Sequence, residues 1–154
     1  MIKINVITNN INWLRFIKNP INYIDKKISK LNAKDKTFAK KKIYCTLLLS
    51  GNDEIKNLNK KFRKKNKITD VLSFPFQLNN ELDRLLKTEK EVYLGDIIIN
   101  LNKIKSKDTK NFKEEFDRLW IHGLVHLFGY DHKKEKDYLK MHKVEKNYIN
   151  LINA

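Results

Sequence analysis

The 154-residue chain is short of several things, and each shortage excludes something. Cysteine occurs once, as Cys45, so no disulfide can form within the chain, and a reducing compartment is expected. Cys45 sits in the apolar run from Ile43 to Leu49 and reads as a small buried hydrophobe with an inert thiol. No stretch approaches the roughly 20 apolar residues of a membrane span. Met1 to Asn10 has no apolar core of signal-peptide length. We therefore expect a soluble, cytoplasmic protein with no membrane partner. Repeats and linker-like segments are also missing, which leaves one domain over residues 1–154. A domain of that size buries roughly 70% of the surface of its unfolded chain and needs no staple. Arginine is scarce as well: only Arg15, Arg63, Arg84 and Arg118 stand among the 33 basic residues.

What is abundant is lysine, and the net charge is +15. A field of that sign favours a polyanion such as nucleic acid or an anionic membrane face. A preference for A- and T-rich codons raises lysine by itself, so the clustering of the charge carries more information than its total. From Lys56 to Lys67 there are seven basic residues, and no acid occurs between Ile55 and Thr69. A balanced charge run is ordinarily a solvated face; this one is unbalanced, which suits contacts to phosphates. Lys60, Lys61, Lys64, Lys65 and Lys67 are its candidate RNA-binding residues. Arg63 stands in the same run. An arginine in a lysine-rich chain points to a planar, bidentate donor, as a phosphate requires.

The apolar pattern outlines the elements. Lys3 to Thr8 alternates as a strand does. Pro20 to Leu31 has helical spacing, with Asn19 at the N-cap and Pro20 at the first helical position. Ile43 to Ser50 reads as a buried strand. Asn52 is placed to cap the next helix, whose stripe is Ile55, Leu58 and Phe62, with Glu54 in its first turn. Asp70 to Phe74 is a brief strand stopped by Pro75. Gln77 to Glu91 reads as a polar loop with a short helical piece at Leu82 to Leu86. Val92 to Asn100 is a strong strand in which Gly95 marks a bulge or a close backbone approach. Phe112 to Phe128 and Glu135 to Ile152 are helices. The expected fold is α/β (α+β): a single layered domain, with a four-stranded, mostly mixed sheet packed with about five helices.

Three of the four histidines fall in His122-Gly123-Leu124-Val125-His126-Leu127-Phe128-Gly129-Tyr130-Asp131-His132. His122 and His126 are four residues apart on one helix, so they project from one face. Gly129 accepts the left-handed turn that ends helices, and the chain can then bring His132 back to the same point. Three neutral imidazoles with an open position make a catalytic zinc site, at the end of a long helix, rather than a closed structural one. His142 reads as solvent-facing and not as a fourth ligand. The same spacing occurs in the metzincin proteases, which need a glutamate directly after the first histidine as general base. Here that position is Gly123, so the motif supports the metal strongly and the peptidase weakly. Gly123 costs the helix about 1 kcal/mol relative to alanine, which implies a close neighbour at that point. Asp131 is placed either to orient a ligand and accept a proton or simply to form a turn. Asp70 is a turn cap or a partner to the site, and Asp96 a hydrogen-bond partner to a ligand histidine.

Taken together, three passages resemble the YbeY family of bacterial endoribonucleases. They are Leu58 to Arg63 followed by Thr69 to Pro75, then Leu94-Gly95-Asp96-Ile97, then Ile121 to His132. The resemblance implies zinc, one per chain, on His122, His126 and His132, and it implies that Arg63 is the cleft arginine needed for RNA processing. It implies a single-stranded RNA substrate, particularly the 3′ end of the small-subunit rRNA precursor, and the small ribosomal subunit as partner. The expected activity is a metal-dependent endoribonuclease in rRNA processing and ribosome quality control. The alternatives are a ribosome assembly factor with a structural zinc and, less well supported, a zinc metallopeptidase.

Overall fold

The computed structural model describes residues 1–64 and 68–154. Lys65 and Lys67 lie outside the described residues. In chain order the elements are β1 (Ile2–Thr8), α1 (Pro20–Lys34), β2 (Lys42–Ser50), α2 (Asn52–Arg63), β3 (Val71–Pro75), α3 (Asn79–Thr88), β4 (Glu91–Asn100), α4 (Thr109–Leu127) and α5 (Glu135–Ile152). The strands form one sheet in the order β1-β2-β4-β3. The first three are mutually parallel and β3 runs antiparallel to β4, so the expected four-stranded mixed sheet with five helices is what forms.

Alternation along the strands divides the interior in two. Ile97 and Ile99 of β4 join the main core with Leu47, Leu49 and the apolar faces of α1, α4 and α5. Ile98, between them, faces the other way and packs with Leu72 of β3 and Ile55 of α2. Trp13, Phe112 and Phe116 fill the main core, with ring centroids 5.4 and 5.8 Å from Trp13. The buried Asp117 ties α1 to α4. It accepts from the Tyr23 hydroxyl at 3.0 Å and the Trp120 indole at 2.9 Å, and Lys27 lies 3.1 Å away. Burial, and then the Asp117 charge, keep the Tyr23 hydroxyl protonated far above its ordinary range. Cys45 is fully buried and its thiol is pushed up to about 12, first by desolvation, so it is inert as read.

Several local readings change. Gly51, not Asn52, is the N-cap of α2. Asn52 is the first helical residue; its backbone N–H goes to the Asn102 side chain at 3.0 Å, and its side-chain Oδ1 accepts from Asn100 Nδ2 at 2.8 Å. The segment read as a loop with a short helical piece is the ten-residue helix α3. Leu82, Leu85 and Leu86 supply its buried face, and its polar flanks extend it because they are solvated. Helix α4 begins at Thr109, capped by Asp108, which accepts from the Asn111 N–H at 3.2 Å. Gly95 combines both expectations. The β2–β4 register shifts beside it, and at φ +135° a Cβ there would lie 2.1 Å from the Phe74 carbonyl oxygen.

Candidate metal centre and active site

Helix α4 carries His122 and His126 on one face, and Gly129, at φ +99°, ends it. The chain then turns back with His132. The three histidines offer ring nitrogens that all lie within 4.8 Å of one another. His122 and His126 are half-buried and His132 is exposed. The second nitrogen of two rings is already committed. His126 Nδ1 donates to the Tyr130 carbonyl at 2.9 Å, and His122 Nδ1 donates to Glu145 Oε1 at 3.0 Å. A carbonyl and a carboxylate only accept, so both Nδ1 atoms carry the proton. In the neutral rings both Nε2 atoms are then bare lone pairs, and they face each other at 3.1 Å. Two lone pairs at that separation repel unless a cation or a proton lies between them. Partial burial, and then the His122 charge, hold the His126 ring below the usual histidine range, which favours the neutral, ligating form. The donor set therefore fits a divalent metal of zinc type, which His122, His126 and His132 could hold.

Glu145 escaped the sequence reading. It lies on α5, thirteen residues past His132, and nothing local marks it. The only available signal was its place, three and four residues from His142 and Met141, on a helix whose buried face includes Met141 and Tyr148. His142 is exposed and stacks on Tyr138 at 5.9 Å, outside the ligand group.

Arg63, the last residue of α2, lines the same cleft of about 660 Å³ as the three histidines. Its Nη2 donates to the Ser73 carbonyl at 2.8 Å, and its guanidinium lies 5.5 Å over the Phe74 ring. A backbone acceptor and an aromatic face thus hold it in place before any ligand arrives. Ser73 also anchors α4 through its Oγ, which donates to the Gly123 carbonyl at 3.2 Å. The missing side chain of Gly123 is explained by Ile97: a Cβ there would meet Ile97 Cγ2 at 2.6 Å.

Of the three carboxylates, Asp96 stands elsewhere than expected, while Asp70 and Asp131 take their turn-forming alternative. Asp96 points away from the histidines and bonds the Tyr93 hydroxyl. Its neighbour Ile97 faces α4, so strand alternation puts Asp96 on the opposite face. The partners of the histidine rings are Glu145 and the Tyr130 carbonyl instead. Asp70 lines the cleft and accepts from the Val71 N–H at 2.8 Å; Asp131 lines it and accepts from the His132 N–H at 2.7 Å. Both fasten turns, and neither bonds a histidine ring. Lys60 and Lys61 are exposed on α2, and Lys64 ends that helix at φ +53°. None of the three lines the cleft, where Lys133 is the lysine among the described residues.

The family model described as Endoribonuclease YbeY matches residues 7–153. The chain belongs to the YbeY endoribonuclease family. Among curated members, that of Pelagibacter ubique is 44% identical over 148 residues, covering 94% of this chain and 92% of its own. That of Thermodesulfovibrio yellowstonii is 38% identical over 129 residues, covering 81% and 74%. A Thermotoga maritima protein solved in solution superposes with a TM-score of 0.58 at 27% identity, covering 99% of this chain and 89% of its own. The histidine group, able to hold a metal, thus sits on an endoribonuclease scaffold. No helix of the described residues is long and apolar enough to cross a membrane.

Proposed function

We propose that residues 1–154 form one cytoplasmic, zinc-dependent, single-strand-specific endoribonuclease domain. It acts in rRNA processing, particularly at the 3′ end of small-subunit rRNA, and in ribosome quality control. The observation that carries this reading is the single cleft shared by Arg63 and the three histidines. A zinc ion there would lower the pKa of a bound water and polarise a phosphoryl oxygen. The chain's own residues do the rest. Glu145 and the Tyr130 carbonyl fix the tautomers of His122 and His126, so that both Nε2 atoms are free to ligate. Arg63, pinned on Ser73 and Phe74, holds the phosphate and stabilises charge that grows on it. The lysines of α2 bind flanking phosphates rather than the scissile one, since they stand outside the cleft.

Against the assembly-factor alternative stands the open side of the histidine group, with no fourth protein ligand in it among the described residues; structural zinc sites are closed by four. Against the peptidase stands Gly123, whose side-chain space Ile97 already fills, so that no carboxylate follows His122. The test is metal content joined to cleavage. Elemental analysis of untagged protein should find about one equivalent of zinc, and His126→Ala should lose most of it together with cleavage of single-stranded RNA. Full zinc in that variant would remove His126 from the ligand set. Cleavage that survives complete metal removal would return the metal to a structural role.

A further inference from the structure

Strand β3 is an edge strand, paired only with β4. In an antiparallel ladder alternate residues turn both backbone groups toward the partner. The Asn100 N–H donates to the Asp70 carbonyl at 2.8 Å, and the Phe76 N–H to the Leu94 carbonyl at 2.9 Å. With Leu72 opposite Ile98 and Phe74 opposite Asp96, the even-numbered residues face β4. Val71, Ser73 and Pro75 therefore turn their backbone groups outward, and all three line the cleft that holds Arg63 and the histidines.

Open edges in native proteins are normally blunted, and this one nearly is. The Val71 N–H is taken by Asp70 Oδ1 at 2.8 Å. Pro75 has no N–H to offer. The Ser73 carbonyl is taken by Arg63 Nη2 at 2.8 Å. What is left is the Ser73 N–H, the one outward donor of β3 for which no described residue supplies an acceptor. Ser73 is only 9% exposed, and an N–H at such a place is seldom left orphaned. In an extended strand the N–H and C=O of one residue point to the same side. The carbonyl that pins the guanidinium and the unpartnered N–H thus belong to one residue and face one way, into the cleft.

We propose that the Ser73 amide and Arg63 form a two-donor cradle for a phosphodiester oxygen of the RNA. The Arg63 side chain supplies the charge and Ser73 supplies a fixed dipole beside it, as backbone donors do for growing oxyanions. The cradle rests on the RNA-cleaving reading above. Nothing in it requires the metal, so it can be read on the metal-free protein.

The deciding measurement is a titration of isotope-labelled, metal-free protein with a short oligouridylate, followed by NMR. The Ser73 amide proton should move downfield and saturate together with Arg63 Nε–H, while the Val71 amide, already satisfied, stays in place. Movement at Arg63 without movement at Ser73 overturns the cradle and leaves the RNA reading intact. A second arm compares Ser73→Pro, which deletes the N–H on an edge where proline is tolerated, with Ser73→Ala, which deletes only the hydroxyl bond to Gly123. With zinc restored, single-turnover cleavage by Ser73→Pro should fall about 100-fold below that of Ser73→Ala, the usual loss for one such donor. Equal losses in the two variants overturn the proposal. Should Ser73→Pro fail to fold, the titration of the wild-type protein decides alone. Zinc-loaded wild type that leaves single-stranded RNA uncut overturns the functional reading and the cradle with it.

Discussion

At the scale of single residues, Arg63 and Gly123 separate chemistry from packing. Arg63 is held on Ser73 and Phe74, and its removal leaves no buried partner charge. Arg63→Ala should therefore keep its fold and its zinc, and most of its RNA affinity, because the neighbouring lysines remain. Single-turnover cleavage should fall by roughly 100-fold. Arg63→Lys should restore little, since an ammonium cannot make the bidentate contact. Cleavage at the wild-type rate under saturating RNA would make Arg63 a binding residue only. Gly123→Ala tests space instead. Overpacking against the β-branched, fully buried Ile97 costs about 1–3 kcal/mol, and alanine returns about 1 kcal/mol of helix propensity. The expected net is a thermal midpoint lowered by a few degrees, at about 2–4 °C per kcal/mol for this size. A raised midpoint would show that Ile97 yields.

Between elements, the link most exposed to test is the Asp117 junction. A buried carboxylate that receives Tyr23, Trp120 and Lys27 joins α1 to α4, the helix that carries two of the candidate ligand histidines. Asp117→Ala removes the shared acceptor and leaves a half-buried ammonium and two donors behind. Losses of about 3 kcal/mol follow when one side of a buried pair is deleted, and urea denaturation should show them as a lower midpoint. An unchanged midpoint would mean that water replaces the carboxylate at no cost. The same element scale shows where pattern reading stops. The boundaries of β2, β4 and α5 follow from apolar periodicity and match to within a residue. Helix α3 runs longer than its apolar pattern because its stabilising face is three leucines long and its ends are solvated. The cap of α2 falls on Gly51 and not on Asn52, although Asn52 has a capping side chain. In the fold its amide serves β4 through Asn100 instead.

At the scale of the whole molecule, charge is the dominant property. The net +15 should make RNA affinity fall linearly with salt on logarithmic axes, with a slope near −0.7 for each phosphate contacted on a single strand. Filter binding of single-stranded RNA across salt concentrations measures it. A flat response would mean that the lysines reflect composition and make no phosphate contacts.

The division between sequence and tertiary structure follows from the range of each interaction. The three histidines were legible because their geometry is nearly local: a four-residue helical spacing, a glycine stop and a three-residue return. Strand and helix identities were legible because burial repeats with the period of the backbone. The partners of those residues were not. Glu145 reaches His122 from another helix, 23 positions on. The Ser73 carbonyl that pins Arg63, and the Ile97 side chain that excludes one at Gly123, arrive through sheet register and the packing of α4 on β4. Asp96 was misassigned for the same reason. Its place in the sequence says nothing about the face it occupies, and one step along a strand reverses that face. The candidate ligands were thus determined by the sequence alone. What orients them, and what stands across the cleft from them, was decided by long-range contacts that no spacing encodes.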